Sequence, residues 1–271
     1  LPFAFSRLPF ALIITFLTDF GARDYFVGAL KGAALAVNPR AVLVDLTHEI
    51  AAQDILEGAF TLLAAYEAFP PGTVHVAVVD PGVGSARRPL AVAAGAHLFV
   101  GPDNGLFSYV CERERDVRVF HLTNERFFRP AVSRTFHGRD IFAPVAGALA
   151  QGLALEELGP QITDYVRLPA LTPNRQPDGS LRASIIHVDR FGNCVTNITR
   201  AELLAETGAW LQVGAHRIER FRRFFVEGDA GEVFAIWGSA GFLELAARCA
   251  SAAALLGVER GQPVRVHLAE G

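Results

Sequence analysis

The chain has 271 residues, 51% of them apolar and 20% charged, with a formal net charge of -3. That length holds one large domain or two smaller ones with a substantial core, and the balance excludes a disordered chain or a general polyanion-binding surface, so nucleic acid is not an expected partner. Cys111, Cys194 and Cys249 lie far apart and form no CxxC pair, which indicates neither a zinc site nor a disulfide framework and fits a reducing, cytoplasmic setting.

The predicted elements begin in "LPFAFSRLPFALIITFL". Arg7 could serve as the charged start of a signal peptide, but no clear small-residue cleavage site follows and the run leads directly into "TDFG". The stretch therefore reads as a short extension, residues 1–11, and a first buried strand. No run approaches the ~18 to 20 apolar residues of a membrane span, so no membrane association is expected. Further apolar runs stand at 41–46, "AVLVDL", at 73–79, "TVHVAVV", and at 97–100, "HLFV". Fully apolar rather than alternating, they predict strands buried on both faces. Helical patterns at 24–37 and 52–69 fall between them. The alternation predicts an α/β N-terminal domain with a mostly parallel central sheet, over residues 12–168.

Residues 169–181, "PALTPNRQPDGSL", concentrate turn formers and predict a linker. Beyond them "ASIIHV", "CVTNI", "WLQVGAHRI", "EVFAIWG" and "PVRVHL" predict strands, interrupted by one alanine-rich helix, "GFLELAARCASAAALLG", over 241–257. Residues 182–271 thus read as a smaller, mostly β, barrel-like C-terminal domain.

Ligands of open α/β sheets collect at the carboxyl ends of the strands. Three predicted strands end in acids, Asp19 in "TDFG", Asp80 in "VDPGVG" and Asp103 in "GPDNG", each with a glycine two residues on. Together they predict a polar site on one edge. The stretch "VVDPGVGSARRPL", residues 78–90, lacks the Lys-Ser/Thr of a nucleotide P-loop and the third glycine of a dinucleotide fingerprint. Its glycines can return Arg87 to Asp80; a surface turn with solvated Arg87 and Arg88 is the alternative. In "SRTFHGRDIFAPVAGALAQG", residues 133–152, His137 falls just before or at a helix start. There the helix dipole disfavours the imidazolium and leaves a neutral ring to accept or relay a proton, a purely structural histidine being the alternative. His75, His97 and His216 lie within apparent strands and carry only that structural reading.

In the second domain, "HVDRFGNCVTNI" places Phe191 between Asp189 and Asn193. An aromatic face with amide hydrogen bonding suits a heterocycle, and a tight hairpin that packs its Phe inward fits equally. "WGSAGFLELA" sets Ser239 before the predicted helix and Glu244 early within it. A helix start suits a carboxylate ligand, Glu244 suits an ammonium, and simple capping also accounts for the serine.

Taken together, "TDFG", "DPGVGSARR", "PDNG", "FHGRD", "FGNCVTNI" and "GSAGFLELA" resemble the S-adenosylmethionine (SAM) hydroxide adenosyltransferase family, in family order from about residue 12 to the C-terminus. The resemblance implies hydrolysis of SAM to adenosine and L-methionine, by attack of water or hydroxide at C5′ of the ribose. It implies no cofactor and no metal, SAM being the substrate. The family's Asp, Arg and His around the water match Asp80, Arg87 and His137 here. By the same likeness Asp19 would hold the ribose hydroxyls and Asp24 would help with the methionine amine. Asp189, Phe191 and Asn193 would line the adenosine and methionine pocket, Ser239 and Glu244 would address the methionine end, and the backbone near Cys249 would meet the adenine edge. The family assembles as homotrimers, with each site between the first domain of one subunit and the second domain of its neighbour.

Two other functions stay open on sequence. Halogenating relatives carry a tyrosine where this chain has Asp80 and lack the histidine matched by His137. This chain also has Gly138 and Gln53 where the fluoride-using pattern has a serine and a tryptophan. A carboxylate at the nucleophile position would repel a halide. A non-catalytic SAM or adenosine sensor is the other alternative, although it would have no need of a water site.

Overall fold

The computed structural model describes residues 12–203 and 208–268; the predicted extension, residues 1–11, lies outside them. The chain divides into two compact units between Ala170 and Leu171.

The first unit runs β1 (Ile13–Thr18), α1 (Phe26–Val37), β2 (Val42–Thr47), α2 (Ile55–Ala65), β3 (Val74–Val78), β4 (Pro89–Ala94), β5 (His97–Pro102), α3 (Ser108–Arg113), β6 (Val117–His121), α4 (Ala143–Leu149) and β7 (Gln161–Ile162). These strands form one sheet in the order β2-β1-β3-β5-β4-β6-β7. β2, β1, β3 and β5 are parallel neighbours, and β4 runs against both β5 and β6, so five of the seven strands point one way. The mostly parallel sheet is as the sequence predicts.

The apolar runs are continuous because each face of the sheet is covered. Ile14, Phe16, Val74 and Val76 pack with Leu30 of α1 and with Val145 and Leu149 of α4, while Leu17 and Val79 approach Gly58 of α2 from the other side. Burying each such large side chain is worth about 1.5–3 kcal/mol, and Phe16→Ala would cost about 3–5 kcal/mol through the cavity it leaves. β4 escapes sequence reading: it is alanine-rich, opens on Pro89 and follows two arginines, all features that lower strand propensity. Its pairing with β5 and β6 supplies what local preference lacks.

The second unit contains β8 (Asn174–Arg175), β9 (Leu181–Val188), β10 (Cys194–Thr199), β11 (Trp210–Val213), β12 (His216–Ile218), β13 (Val233–Trp237), β14 (Phe242–Ala247), α5 (Ala252–Leu256) and β15 (Pro263–His267). They form an antiparallel sheet in the order β12-β11-β15-β9-β10-β14-β13, with β8 on β9. Its two ends nearly meet, since Ala235 of β13 donates to the Arg220 carbonyl (2.8 Å) and accepts from Arg222 N–H (2.9 Å) just beyond β12. This is the barrel-like domain expected.

The predicted helix over 241–257 is corrected. Only Ala252–Leu256 is helical, capped by Ser251, which accepts from Ala254 N–H. Phe242–Ala247 is strand, paired on both sides with β10 and β13. "LELAA" has the helix propensity of its Leu, Glu and Ala, but Leu243 and Leu245 alternate into the core, both fully buried. Tertiary pairing overrides propensity here. Ser239 therefore sits in the β13–β14 turn, and Glu244 projects from a strand, so neither draws on a helix dipole.

Candidate active site

The carboxyl ends of β1 and β3 open on a cavity of about 410 Å³. Asp19, Gln53, Asp80, Phe136, His137 and Gly138 are among its walls. Behind two of these walls lies Arg87. Its Nε donates to Asp80 Oδ1 (3.0 Å) and Oδ2 (3.1 Å), and its Nη2 donates to Asp80 Oδ2 and to His137 Nδ1, the latter at 2.8 Å. The acid, the arginine and the histidine thus form one chain with the arginine in the middle, and both outer members face the cavity. Asp80 and Arg87 side chains are only 5% and 9% exposed, so each supplies the charge that makes burial of the other tolerable. The Phe142 ring lies 5.2 Å from the guanidinium carbon, a cation–π contact on its remaining side.

Two local features hold this chain together. The loop after Asp80 turns through Gly84 at φ 77°, and a Cβ there would collide with the Arg134 carbonyl. Glycine thus lets the loop that returns Arg87 press directly on the segment that carries His137. That segment is pinned by the fully buried Asp140, which accepts from Ser133 N–H (2.9 Å) and from Arg139 Nε (2.7 Å). His137 itself begins a π-helical turn, Gly138–Phe142, that leads into α4.

An arginine only donates, so His137 Nδ1 is the acceptor nitrogen and the ring is neutral. Burial first, then the Arg87 cation, lowers its pKa; Asp80, Asp140 and a backbone hydrogen bond at Ser133 oppose that shift. The sequence anticipates a neutral imidazole at a helix start, where His137 indeed lies, and burial and the adjacent cation act in the same direction.

Asp19 lines the same cavity, and its Oδ2 accepts from Gln53 N–H at 2.8 Å. Asp24 is exposed and is not part of the wall. Asp103, the third strand-ending acid, is 6% exposed and absorbed elsewhere, accepting from Arg88 Nε (2.8 Å) and Val166 N–H (2.8 Å). Of the three acids on that edge, two face the cavity.

The second unit carries its own cavity of about 800 Å³, lined by Asp189, Phe191, Asn193, Ser239, Glu244 and Cys249 among others. Asp189 organises the turn: its Oδ1 accepts from the backbones of Phe191 (2.9 Å) and Asn193 (2.8 Å), and its Oδ2 from Asn193 Nδ2 (2.8 Å). Phe191 is consequently held outward, 78% exposed. Gly238 has no side chain where the Glu244 carboxylate lies; a Cβ would occupy its place. Glu244 has a raised pKa, first from burial and then from Asp189. Phe225 and Trp237 also line this cavity and escape sequence reading. Phe225 sits in a one-turn segment with no motif, and Trp237 ends a strand whose apolar pattern reads simply as core.

Among the described residues two non-glycine residues have positive φ, Gln53 at 67° and Cys249 at 54°. Each lines one of the two cavities, where such strained backbone tends to be functional. A third concavity, along α1 and near Arg126, Arg129 and Arg139, holds no carboxylate and none of the predicted residues. Among the described residues no group of three or more His, Cys, Asp or Glu side chains is placed to hold a metal ion, and no helix is long and apolar enough to cross a membrane.

Comparison with known proteins covers nearly all of both units. Residues 14–159 match the family described as SAM hydroxide adenosyltransferase N-terminal domain, and residues 183–265 match its C-terminal domain. A "(R)-S-adenosyl-L-methionine hydrolase" from Thermus thermophilus is 41% identical over 264 residues, 93% of this chain and 98% of that protein. One from Salinispora arenicola is 41% identical over 257 residues, 93% of this chain and 97% of its own. The crystal structure of an uncharacterized conserved protein from Thermotoga maritima superposes with a TM-score of 0.88 at 34% identity, covering 93% of this chain and 99% of that one. Fluorinases match at 25% to 29% identity and are more distant relatives.

Proposed function

Since the chain belongs to the SAM hydroxide adenosyltransferase family, we propose how its own residues carry out the family's reaction. The chain is a SAM hydrolase. Water forms the C5′–O bond as the C5′–S bond breaks. The electron pair goes to sulfur, which leaves as the neutral thioether of methionine, and one proton of the attacking water must be removed.

Asp80 orients that water and receives its proton. A carboxylate offers about four acceptor sites, so the Arg87 fork does not exhaust it. Arg87 compensates the charge that gathers on Asp80 and the incoming oxygen. His137, with Nδ1 engaged by Arg87, fixes the guanidinium and closes the cavity wall. What supports these roles is the unbroken Asp80–Arg87–His137 contact chain with its outer members on the wall. Asp19 holds the ribose hydroxyls. In the second unit, Phe191 stacks on the adenine while Asn193 and the backbone at Cys249 meet polar edges of the nucleoside. Ser239 and Glu244 take the methionine end, Glu244 pairing with the ammonium.

The relatives' names specify the (R) sulfonium epimer, and we propose the same preference here. Assembly into a homotrimer completes the two half-sites, so isolated protomers are expected to be inactive, and the setting is cytoplasmic. The test is incubation with each SAM epimer, with and without chloride or fluoride, followed by chromatographic separation. Adenosine and methionine in every buffer, faster from the (R) epimer, are expected. A 5′-halogenated nucleoside would overturn the water assignment at Asp80, and faster turnover of the (S) epimer would overturn the stereochemical one.

A further inference from the structure

Asp19 reaches the cavity from a short loop after β1, and that loop is held by groups that do not touch the cavity. Thr18 Oγ1 accepts from Phe20 N–H at 3.2 Å and lies 2.8 Å from His48 Nδ1. A threonine hydroxyl has two acceptor lone pairs and one hydrogen, so Thr18 can bind the loop and the His48 ring at once. His48 Nε2 stands 3.0 Å from Asp45 Oδ1, an ion-pair contact without hydrogen-bond alignment, and the other oxygen of Asp45 accepts from Lys31 Nζ at 2.6 Å. The His48 carbonyl also receives Gly21 N–H at 2.7 Å. Loop residues 18–21 are thus tied at both ends to the segment that follows β2.

The register of the sheet makes this meeting feasible. Phe16 pairs with Asp45 but Leu17 pairs with Thr47, so β2 carries one extra residue, Leu46, opposite β1. Residues three apart on a regular strand face opposite sides. The bulge, with the end of the strand at Thr47, lets Asp45 and His48 meet instead, and bulges beside active sites commonly redirect side chains in this way. Thr18 is fully buried and His48 is 8% exposed, so the connection lies under the loop. At the cavity end, Gln53 adopts φ 67° and presents its N–H to Asp19 Oδ2, while Oδ1 carries no hydrogen bond among the described residues.

We infer that Asp45, His48 and Thr18 form a positioning relay that sets the Asp19 carboxylate for the ribose hydroxyls. The relay rests on the reading of Asp19 given above, and none of its three members is a catalytic residue. It confers discrimination for the vicinal hydroxyls of the ribose, because a carboxylate aimed correctly gains a charge-assisted hydrogen bond that a misaimed one does not.

The test compares binding of adenosine and 2′,3′-dideoxyadenosine to the full-length protein by calorimetry. Asp19→Ala, Thr18→Val, Thr18→Ser and Asp45→Asn are measured beside the unaltered chain. The unaltered chain is expected to prefer adenosine by about tenfold or more, the scale of a hydrogen bond to a charged group. Asp19→Ala and Thr18→Val should both abolish most of that preference, and Thr18→Ser, which keeps the hydroxyl, should restore it. Asp45 is 40% exposed, so Asp45→Asn tests the relay without disturbing a buried site and should lower the preference several-fold. Equal weakening of both ligands by Thr18→Val would mean a merely structural threonine and overturn the relay. A full preference in Asp45→Asn would overturn it too, even if Thr18→Val does not fold. A preference that survives Asp19→Ala would instead refute the ribose role of Asp19, and the relay with it.

Discussion

The two cavities of this chain are built on opposite principles. In the first unit the buried acid is paired: Asp80 and Arg87, 5% and 9% exposed, are locked together, and Arg87 also holds His137. In the second unit Asp189 and Asn193 hold each other, but the acid beside them waits. Glu244 is half-buried with no hydrogen-bonding partner among the described residues, while Phe191 and Phe225 stand 78% and 48% exposed at the rim. Charges fixed beforehand spare reorganisation during a reaction. A group left unpaired is available for a ligand to satisfy.

The largest test of this contrast is Asp80→Ala. Loss of a positioned acid–base group is expected to lower kcat by about 10²–10⁴-fold, while calorimetric affinity for adenosine, to which Asp80 is assigned no contact, changes little. Equal losses in both would erase the distinction between the cavities. Next comes Gly84→Ala, whose methyl group would strike backbone at Arg134. A strained positive φ costs about 1–3 kcal/mol, so a lower melting temperature and a kcat reduced at least tenfold are expected. Gly238→Ala is the matched change in the second unit, but the atoms nearest its methyl group are those of the Glu244 side chain rather than backbone. There KM should rise several-fold with the melting temperature nearly unchanged.

One buried group in each unit should respond to acid with opposite sign. His75 is fully buried against Thr15 and His97, and burial, followed by the charge of His97, lowers its pKa to about 3. An unfolded histidine binds its proton near pH 6.5, so the stability contributed by a neutral His75 is complete above that pH. It is lost as pH falls from 6.5 toward 3, at up to about 1.4 kcal/mol per pH unit. His97 is lowered in the same direction by burial. Glu244 runs the other way: its raised pKa means that its charged form costs stability once pH rises past that value. Glu244→Gln should therefore raise the melting temperature of the ligand-free protein slightly at neutral pH, with a gain that vanishes in acid, while KM for SAM rises about tenfold. The melting temperature of Glu244→Gln relative to the unaltered chain, followed against pH, checks the Glu244 slope. The smallest expected effect is this change in melting temperature.

Much of the first unit is legible in sequence because its signals are local and redundant. The apolar runs ending in Asp19 and Asp80 define strands and site at once, and the glycines after Asp80 announce a tight return. What escapes sequence is how a residue is used. Asp103 looks like its two companions until Arg88 and Val166 N–H are found to occupy it. The segment "GFLELAARCASAAALLG" satisfies helix propensity, and only pairing with β10 and β13 decides for strand. Phe225 and Trp237 reach their cavity through the curvature of the sheet, which leaves no pattern along the chain. The relay through Thr18, His48 and Asp45 is equally silent, since it depends on one extra residue in β2.

The shared arginine has a consequence for how such a protein can change over generations. Arg87 makes Asp80 and His137 one hereditary unit: a neutral side chain at Asp80 strands a cation in a place that is 9% exposed, and loss of His137 frees a donor with nowhere to go. Each first step is costly unless the second accompanies it, so the landscape around this site is epistatic. A lineage moving from water to another nucleophile is expected to alter these positions together, and a single exchange at Asp80 should give a poor hydrolase long before it gives any other enzyme.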